Sequence, residues 1–198
     1  MADQKISAMP SAAALTGVEL VPVVQSGANV KATIAQFTAY STGTFFNHGA
    51  WQDTTTQTGD ITQGTPFTFN TVDVTGGVTL VSGSRLTVPV TGDYNFQWSG
   101  QFQNVENEIE NVKVWLRIEG VDVPGSAGII SLAARKSATI FTRLIIGWNY
   151  FLSLTAGQYV EIVWLPSVAS VTLPAFPAVV SPASPSTASV IVTVNQVG

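Results

Sequence analysis

Between Tyr94 and Phe102 the chain alternates strictly. Tyr94, Phe96, Trp98, Gly100 and Phe102 fall on one parity, and Asn95, Gln97, Ser99 and Gln101 on the other. Successive side chains of an extended chain point to opposite faces, so this run predicts a half-buried antiparallel strand with an aromatic inner face. The same period returns at Val112, Val114, Leu116 and Ile118, at Val160, Ile162 and Trp164, and from Ser189 to Val197. Gly76-Gly77, Ser82-Gly83-Ser84, Thr91-Gly92-Asp93, Glu119 to Asp122 and Ala156-Gly157 punctuate these runs as turns. No comparable run has helical spacing. The expectation is an all-β fold, an antiparallel β-sandwich or jelly roll, over residues 67–198.

The first 40 residues have another texture. Glu19 to Val24 and Val30 to Ile34 are short β-prone runs around Gln25 to Asn29, which reads as a hairpin with Pro22 at an edge. Ala35 to Tyr40 fits one helical turn. So small a unit has to pack on something else. Residues 41–66, rich in Thr, Gln and Gly, read as a linker with one strand around Gly43 to Trp51. Near the other end, Pro174, Pro177, Pro182 and Pro185 exclude a central strand from Val168 to Ser186. Its apolar residues suggest an extended loop buried against a neighbour.

Composition narrows the function. Charged residues make up 10% of the chain, against roughly 25% in typical soluble domains. A neutral polar surface of that kind favours association between subunits. The net charge of −4 and scattered basic residues give no phosphate-tracking stripe, so nucleic acid is not an expected partner. Without cysteine there are no disulfides and no thiolate metal sites, which fits folding in a reducing cytoplasm. The opening Met-Ala-Asp-Gln-Lys lacks a basic cluster, and Gly17, Glu19 and Pro22 break the apolar stretch that follows. Neither a secretion signal nor membrane insertion is expected.

Catalytic chemistry finds little to work with. His48 is the only histidine, which leaves no serine or cysteine triad and no multi-histidine metal site. No glycine loop carries the Gly-Lys-Ser/Thr ending of a phosphate cradle. Glu106, Glu108 and Glu110 alternate, and in extended chain they would face one side together as a candidate site for a hard cation such as Ca²⁺. The same run also reads as a solvated turn between strands. Glu161 is the one acid in a strongly apolar strand. Alternation turns it away from Val160, Ile162 and Trp164, as an outward charge or a subunit-interface ion pair. Trp98, Trp115, Trp148 and Trp164 fall inside strand patterns and are expected in the core or at a subunit interface. The chain is therefore expected to be no enzyme, to bind no cofactor and to have no catalytic residue; its binding residues are not legible.

Two stretches resemble known families. Lys5-Ile-Ser-Ala-Met-Pro10, then Leu15 to Gln25 and Gly27 to Thr33, resembles a short N-terminal module recurring in phage tail-fibre and other virion proteins. The resemblance implies that residues 1–40 attach the chain to other virion proteins. Arg85 to Tyr94, Val114 to Pro124, Gly147 to Trp164 and Ser189 to Val197 resemble phage-encoded jelly rolls related to the tumour necrosis factor and complement globular-head fold. That resemblance implies a homotrimer without catalysis. Together they lead to the expectation of a structural bacteriophage virion protein, made in the host cytoplasm and located in the virion. It would serve as a trimeric tail fibre or tail-tip knob for host attachment, meeting a host cell-surface glycan. A trimeric capsid decoration protein (cement or head fibre) and a prophage-derived lectin-like domain are the alternatives.

Overall fold

The computed structural model describes residues 16–36 and 47–198. Contacts divide the chain into two units, Met1–Phe45 and Phe46–Gly198.

In the first unit β1 (Leu20–Gln25) pairs antiparallel with β2 (Ala28–Thr33), from Leu20↔Thr33 to Gln25↔Ala28. Ser26 and Gly27 both have positive φ, 51° and 79°, which a two-residue hairpin turn twisted like its strands requires. The Glu19 carboxylate closes the entry, accepting from Thr16 N, Thr16 Oγ1 and Gly17 N. At the exit, Gln36 N donates to Thr33 Oγ1 while Thr33 N donates to Gln36 Oε1. This reciprocal pair starts a helical turn at residues 34–36. Residues 37–40 of the expected turn and the Lys5 to Pro10 motif lie outside the described residues.

The second unit is the sandwich, with every strand pairing antiparallel. Its strands are β3 (His48–Asp53), β4 (Gln57–Thr58), β5 (Thr65–Pro66), β6 (Thr71–Gly76), β7 (Thr79–Val81), β8 (Arg85–Thr87), β9 (Gly92–Asn104), β10 (Glu110–Ile118), β11 (Val121–Asp122) and β12 (Gly128–Leu132). They continue with β13 (Thr142–Leu154), β14 (Tyr159–Pro166), β15 (Thr172–Leu173), β16 (Val179–Val180), β17 (Ala183–Ser184) and β18 (Val190–Gln196). In the first sheet β9 pairs along its whole length with β13. On its other side β9 meets β18 from Tyr94 to Gly100 and then β15 at Gln103. The sheet continues through β3 to β6, and β4 pairs with β15. The second sheet runs β11-β10-β14-β8-β7, with β12 on β10 and β5 on β14.

The core lies between the sheets, where period-two alternation delivers it. Tyr94, Phe96, Trp98 and Phe102 of β9 meet Val112, Val114 and Leu116 of β10 and Val160, Ile162 and Trp164 of β14, all buried. Phe67 packs edge-on to Trp98 at 5.3 Å and tilted against Trp164 at 6.4 Å.

Residues 47–66, expected as linker, belong instead to the sandwich. β3 lies inside the first sheet between β18 and β6 and puts Trp51 into the core. Asp53 follows Trp51 inward and is 2% exposed. It is tolerated there because four donors meet it: Thr55 N, Thr55 Oγ1, Asn70 Nδ2 and Thr68 Oγ1. A Thr-rich stretch that looks unstructured is the donor set of a buried carboxylate.

The proline-rich segment also departs from expectation. Val171 and Leu173 are buried in the molecule's own core rather than against a neighbour. Beyond them Phe176 and Thr187 bridge the base of the β16–β17 hairpin, whose turn contains the cis Ser181-Pro182 bond. Val180, at that turn, is the most exposed large apolar residue described.

Candidate subunit interface

Register brings the outward side chains of the first sheet into rows. Phe151, Asn95, Asn195 and His48 form one row, and Asn149, Gln97, Thr193 and Ala50 the next. Gly147, Ser99, Ile191 and Gln52 follow, and Ile145 stands beside Gln101. These residues are amides, hydroxyls and aliphatic or aromatic groups. Ile145 and Phe151 are 69% and 66% exposed, and Ile191 is exposed beside them. Charge is confined to the margins, with Asp73 on β6, Asp93 at the start of β9 and Arg143 at the start of β13.

The second sheet is the opposite. Lys113 and Arg117 lie on the outward parity of β10 and Asp122 on β11. Arg117 Nε donates to Asp122 Oδ1 at 2.8 Å, and the Trp115 indole N–H reaches the same oxygen. The Trp115 indole and Arg117 together hold the Asp122 carboxyl below its ordinary range. A charged face is at ease in water, whereas an uncharged one with protruding Phe and Ile is suited to burial against another surface.

The same sheet ends in an unprotected edge. β13 has 13 residues and, among the described residues, pairs only with β9. It holds no proline, and its one charged residue is Arg143, whereas natural edge strands are usually short, charged or covered. Its inward parity also looks out of the open flank: Leu144 and Trp148 remain about half exposed where they would be buried in a closed sandwich. Trp148 stacks on Tyr150 at 5.6 Å with 18° between the planes. The Tyr150 hydroxyl donates to Ser126 O at 2.9 Å, and burial pushes its pKa up.

The carboxylates singled out from sequence are not gathered. Residues 106–108 form a bend, not extended chain, and β10 begins only at Glu110. The buried Asn104 organises that bend: its Oδ1 accepts from Glu106 N and its Nδ2 donates to Glu108 O. Glu110 turns elsewhere, accepting from Ser167 Oγ. Among the described residues no group of three or more His, Asp or Glu could hold a metal ion. His48 opens β3 opposite Asn195 and Gly76.

Glu161 is corrected more sharply. It is not an outward charge but is 7% exposed. Its Oε1 accepts from Ser84 Oγ at 2.7 Å and stands 3.8 Å from Arg85 Nε, whose guanidinium lies over the Tyr159 ring. The ion pair is internal to the subunit. Of the tryptophans, Trp51, Trp98 and Trp164 are core, while Trp115 and Trp148 are not fully buried.

A signal for the uncharged face does exist in the sequence. No Asp, Glu, Lys or Arg occurs between Asp93 and Glu106, between Arg143 and Glu161, or anywhere after Glu161. Those gaps contain nearly all of β9, β13 and β18. Only the register shows that the three strands are neighbours. Among the described residues no helix is long and apolar enough to cross a membrane.

No protein-family model matches the chain, and no curated protein matches it. Among solved structures it is similar to the globular domain of the zebrafish complement 1qA protein, with 14% identity over 77% of this chain and 98% of that one, at a TM-score of 0.46. It is also similar to the Eiger TNF structure from S. frugiperda, with 11% identity over 78% of this chain and 94% of that one, at a TM-score of 0.50. With the antiparallel topology above, the second likeness makes the fold a jelly-roll β-sandwich.

Proposed function

We propose that the chain is a non-catalytic structural and binding module that works as a homotrimer. The carrying observation is that one sheet presents both an uncharged face with exposed Ile145, Phe151 and Ile191 and an unprotected edge along β13. Face and edge are different surfaces, so a contact between them is head-to-tail, and repeating it generates a closed ring when the rotation permits. The resemblance to tumour necrosis factor-like jelly rolls, which implies a homotrimer, supports a ring of three.

The setting we propose is a phage particle. Residues 1–40 dock on another virion protein, and the sandwich forms a tail-fibre or tail-tip knob that meets the host surface. The opening motif supports this reading, as does a hairpin unit too small for a core of its own. Sedimentation of the full chain at micromolar concentration is expected to give a species of three 20.9-kDa chains; a stable monomer overturns the trimer. Particles carrying a labelled chain are expected to show the label at the tail. Label on the head makes the protein a capsid decoration instead, and particle incorporation that survives deletion of residues 1–40 overturns the docking role.

A further inference from the structure

We infer that Trp148 of one copy seats in a trough on the sheet face of the next, so that each subunit supplies both an aromatic anchor and its receptacle. This rests on the trimeric reading above and names the contact that would hold the trimer together.

The trough holds about 710 Å³ and is formed by residues 97–99 of β9, residues 147–149 of β13, and Ile191 and Thr193 of β18. That lies within the ~300–1,000 Å³ of sites that take ligands of several rings. Its floor is bare because position 147 is glycine. A Cβ there would stand 2.7 Å from the Trp98 carbonyl oxygen, which is backbone and has no rotamer to yield. Around that floor stand the side chains of Gln97, Ser99, Asn149 and Thr193. None of the four makes a hydrogen bond among the described residues, so the trough holds several uncommitted acceptors and no charge.

Trp148 is the complementary piece. It is held in place before any partner arrives, stacked on Tyr150 and lying against Gly128, where a Cβ would come within 2.2 Å of the indole. It is nevertheless 48% exposed, and its indole N–H has no acceptor among the described residues. A rigid, partly exposed aromatic with one free donor is the kind of side chain that dominates interfaces, because little conformational freedom is lost when it docks. It cannot fill the trough of its own chain. Residue 148 has the opposite parity from 147 and 149, so its side chain leaves the other face of the strand. The occupant has to come from a second copy, whose β13 edge carries no charged residue after Arg143 at its start.

The test places the photo-crosslinking residue p-benzoylphenylalanine at position 148 of the full chain, which keeps a large aromatic anchor there. Irradiation at micromolar concentration is expected to give covalent dimers and trimers, with adducts mapping by mass spectrometry to Gln97, Ser99, Ile191 or Thr193. Within one chain these residues lie on the opposite face. An assembled trimer whose inter-copy adducts map elsewhere overturns the anchor and leaves the trimer standing. A protein that sediments as a monomer overturns the reading beneath it. Separately, Trp148→Ala is expected to raise the concentration for half-assembly roughly 30-fold or more, as truncating a central aromatic anchor does. Unchanged assembly of this variant overturns the proposal.

Discussion

Trp98 stands at the centre of the sandwich, 2% exposed and edge-on to Phe67 at 5.3 Å. Replacing it with alanine removes an aromatic group that buries about 200 Å². At roughly 25 cal/mol per Å² the transfer contribution is about 5 kcal/mol. An opposing term is visible in the structure: the Trp98 indole N–H is buried with no hydrogen-bond acceptor in reach. An unpaired buried donor costs about 1–3 kcal/mol, and the variant no longer carries it. The expected net loss for Trp98→Ala is therefore about 2–4 kcal/mol. Trp98→Phe keeps most of the apolar contact and removes the same unpaired donor, so its loss should stay near ~1 kcal/mol. The assay is urea unfolding followed by circular dichroism at matched protomer concentration, because assembly adds a concentration-dependent term. A loss below ~1 kcal/mol for Trp98→Ala would place the ring at the surface. Equal losses for the two variants would refute the argument from apolar burial, since phenylalanine keeps most of that contact and alanine does not.

Asp53→Ala strips the acceptor from Thr55, Thr68 and Asn70 and is expected to lower stability by about 3 kcal/mol; a urea midpoint close to the unmodified protein's would show that the Thr-rich loop does not need it. Truncation to residues 46–198 should retain cooperative melting, while a chain starting at Phe67 should not fold, since it lacks β3, Trp51 and Asp53; cooperative melting of the shorter chain would restore the linker reading. The Glu19 carboxyl is pulled down to about 2, chiefly by the Thr16 backbone N–H, with further help from its own N–H, the Thr16 hydroxyl and Gly17 N. Its folded value lies below the ordinary 4.5, so the hairpin closure is complete above that pH and fades as pH falls towards 2. Titration of Glu19 by nuclear magnetic resonance, with the Thr16 amide shift moving in step, checks this, and a midpoint near the ordinary value would mean that the closure does not form.

The sandwich was legible because alternation is local. Tyr94 to Phe102, Val112 to Ile118 and Val160 to Trp164 each state which side of their strand is apolar, and a strand has only two sides to choose between. The hairpin of residues 20–33 was legible for a similar reason: Ser26-Gly27 names its turn. Alternation alone starts the sandwich too late, at Phe67, because His48–Asp53 carries a single large apolar residue. Its assignment to the first sheet depends on β18, which arrives more than a hundred residues later. For Glu161 alternation gives direction and not depth. Its side of the strand does point away from Val160 and Ile162, yet Ser84 and Arg85 come from the neighbouring turn and strand to bury it.

By itself, then, the sequence determined the fold class, the inward residues of β9, β10 and β14, the hairpin and the scarcity of charge. These follow from backbone geometry and composition, which need no knowledge of neighbours. Only the tertiary structure decided that β13 is an edge, that Gly147, Gln97 and Thr193 share one trough, and that Trp148 stands half open beside it while Trp98 is sealed. The two tryptophans occupy equivalent places in their strand patterns and pair directly across the sheet. One has strands on both sides and the other has solvent on one, and that difference is a property of sheet order, which pairs residues too far apart in sequence for any local pattern to record.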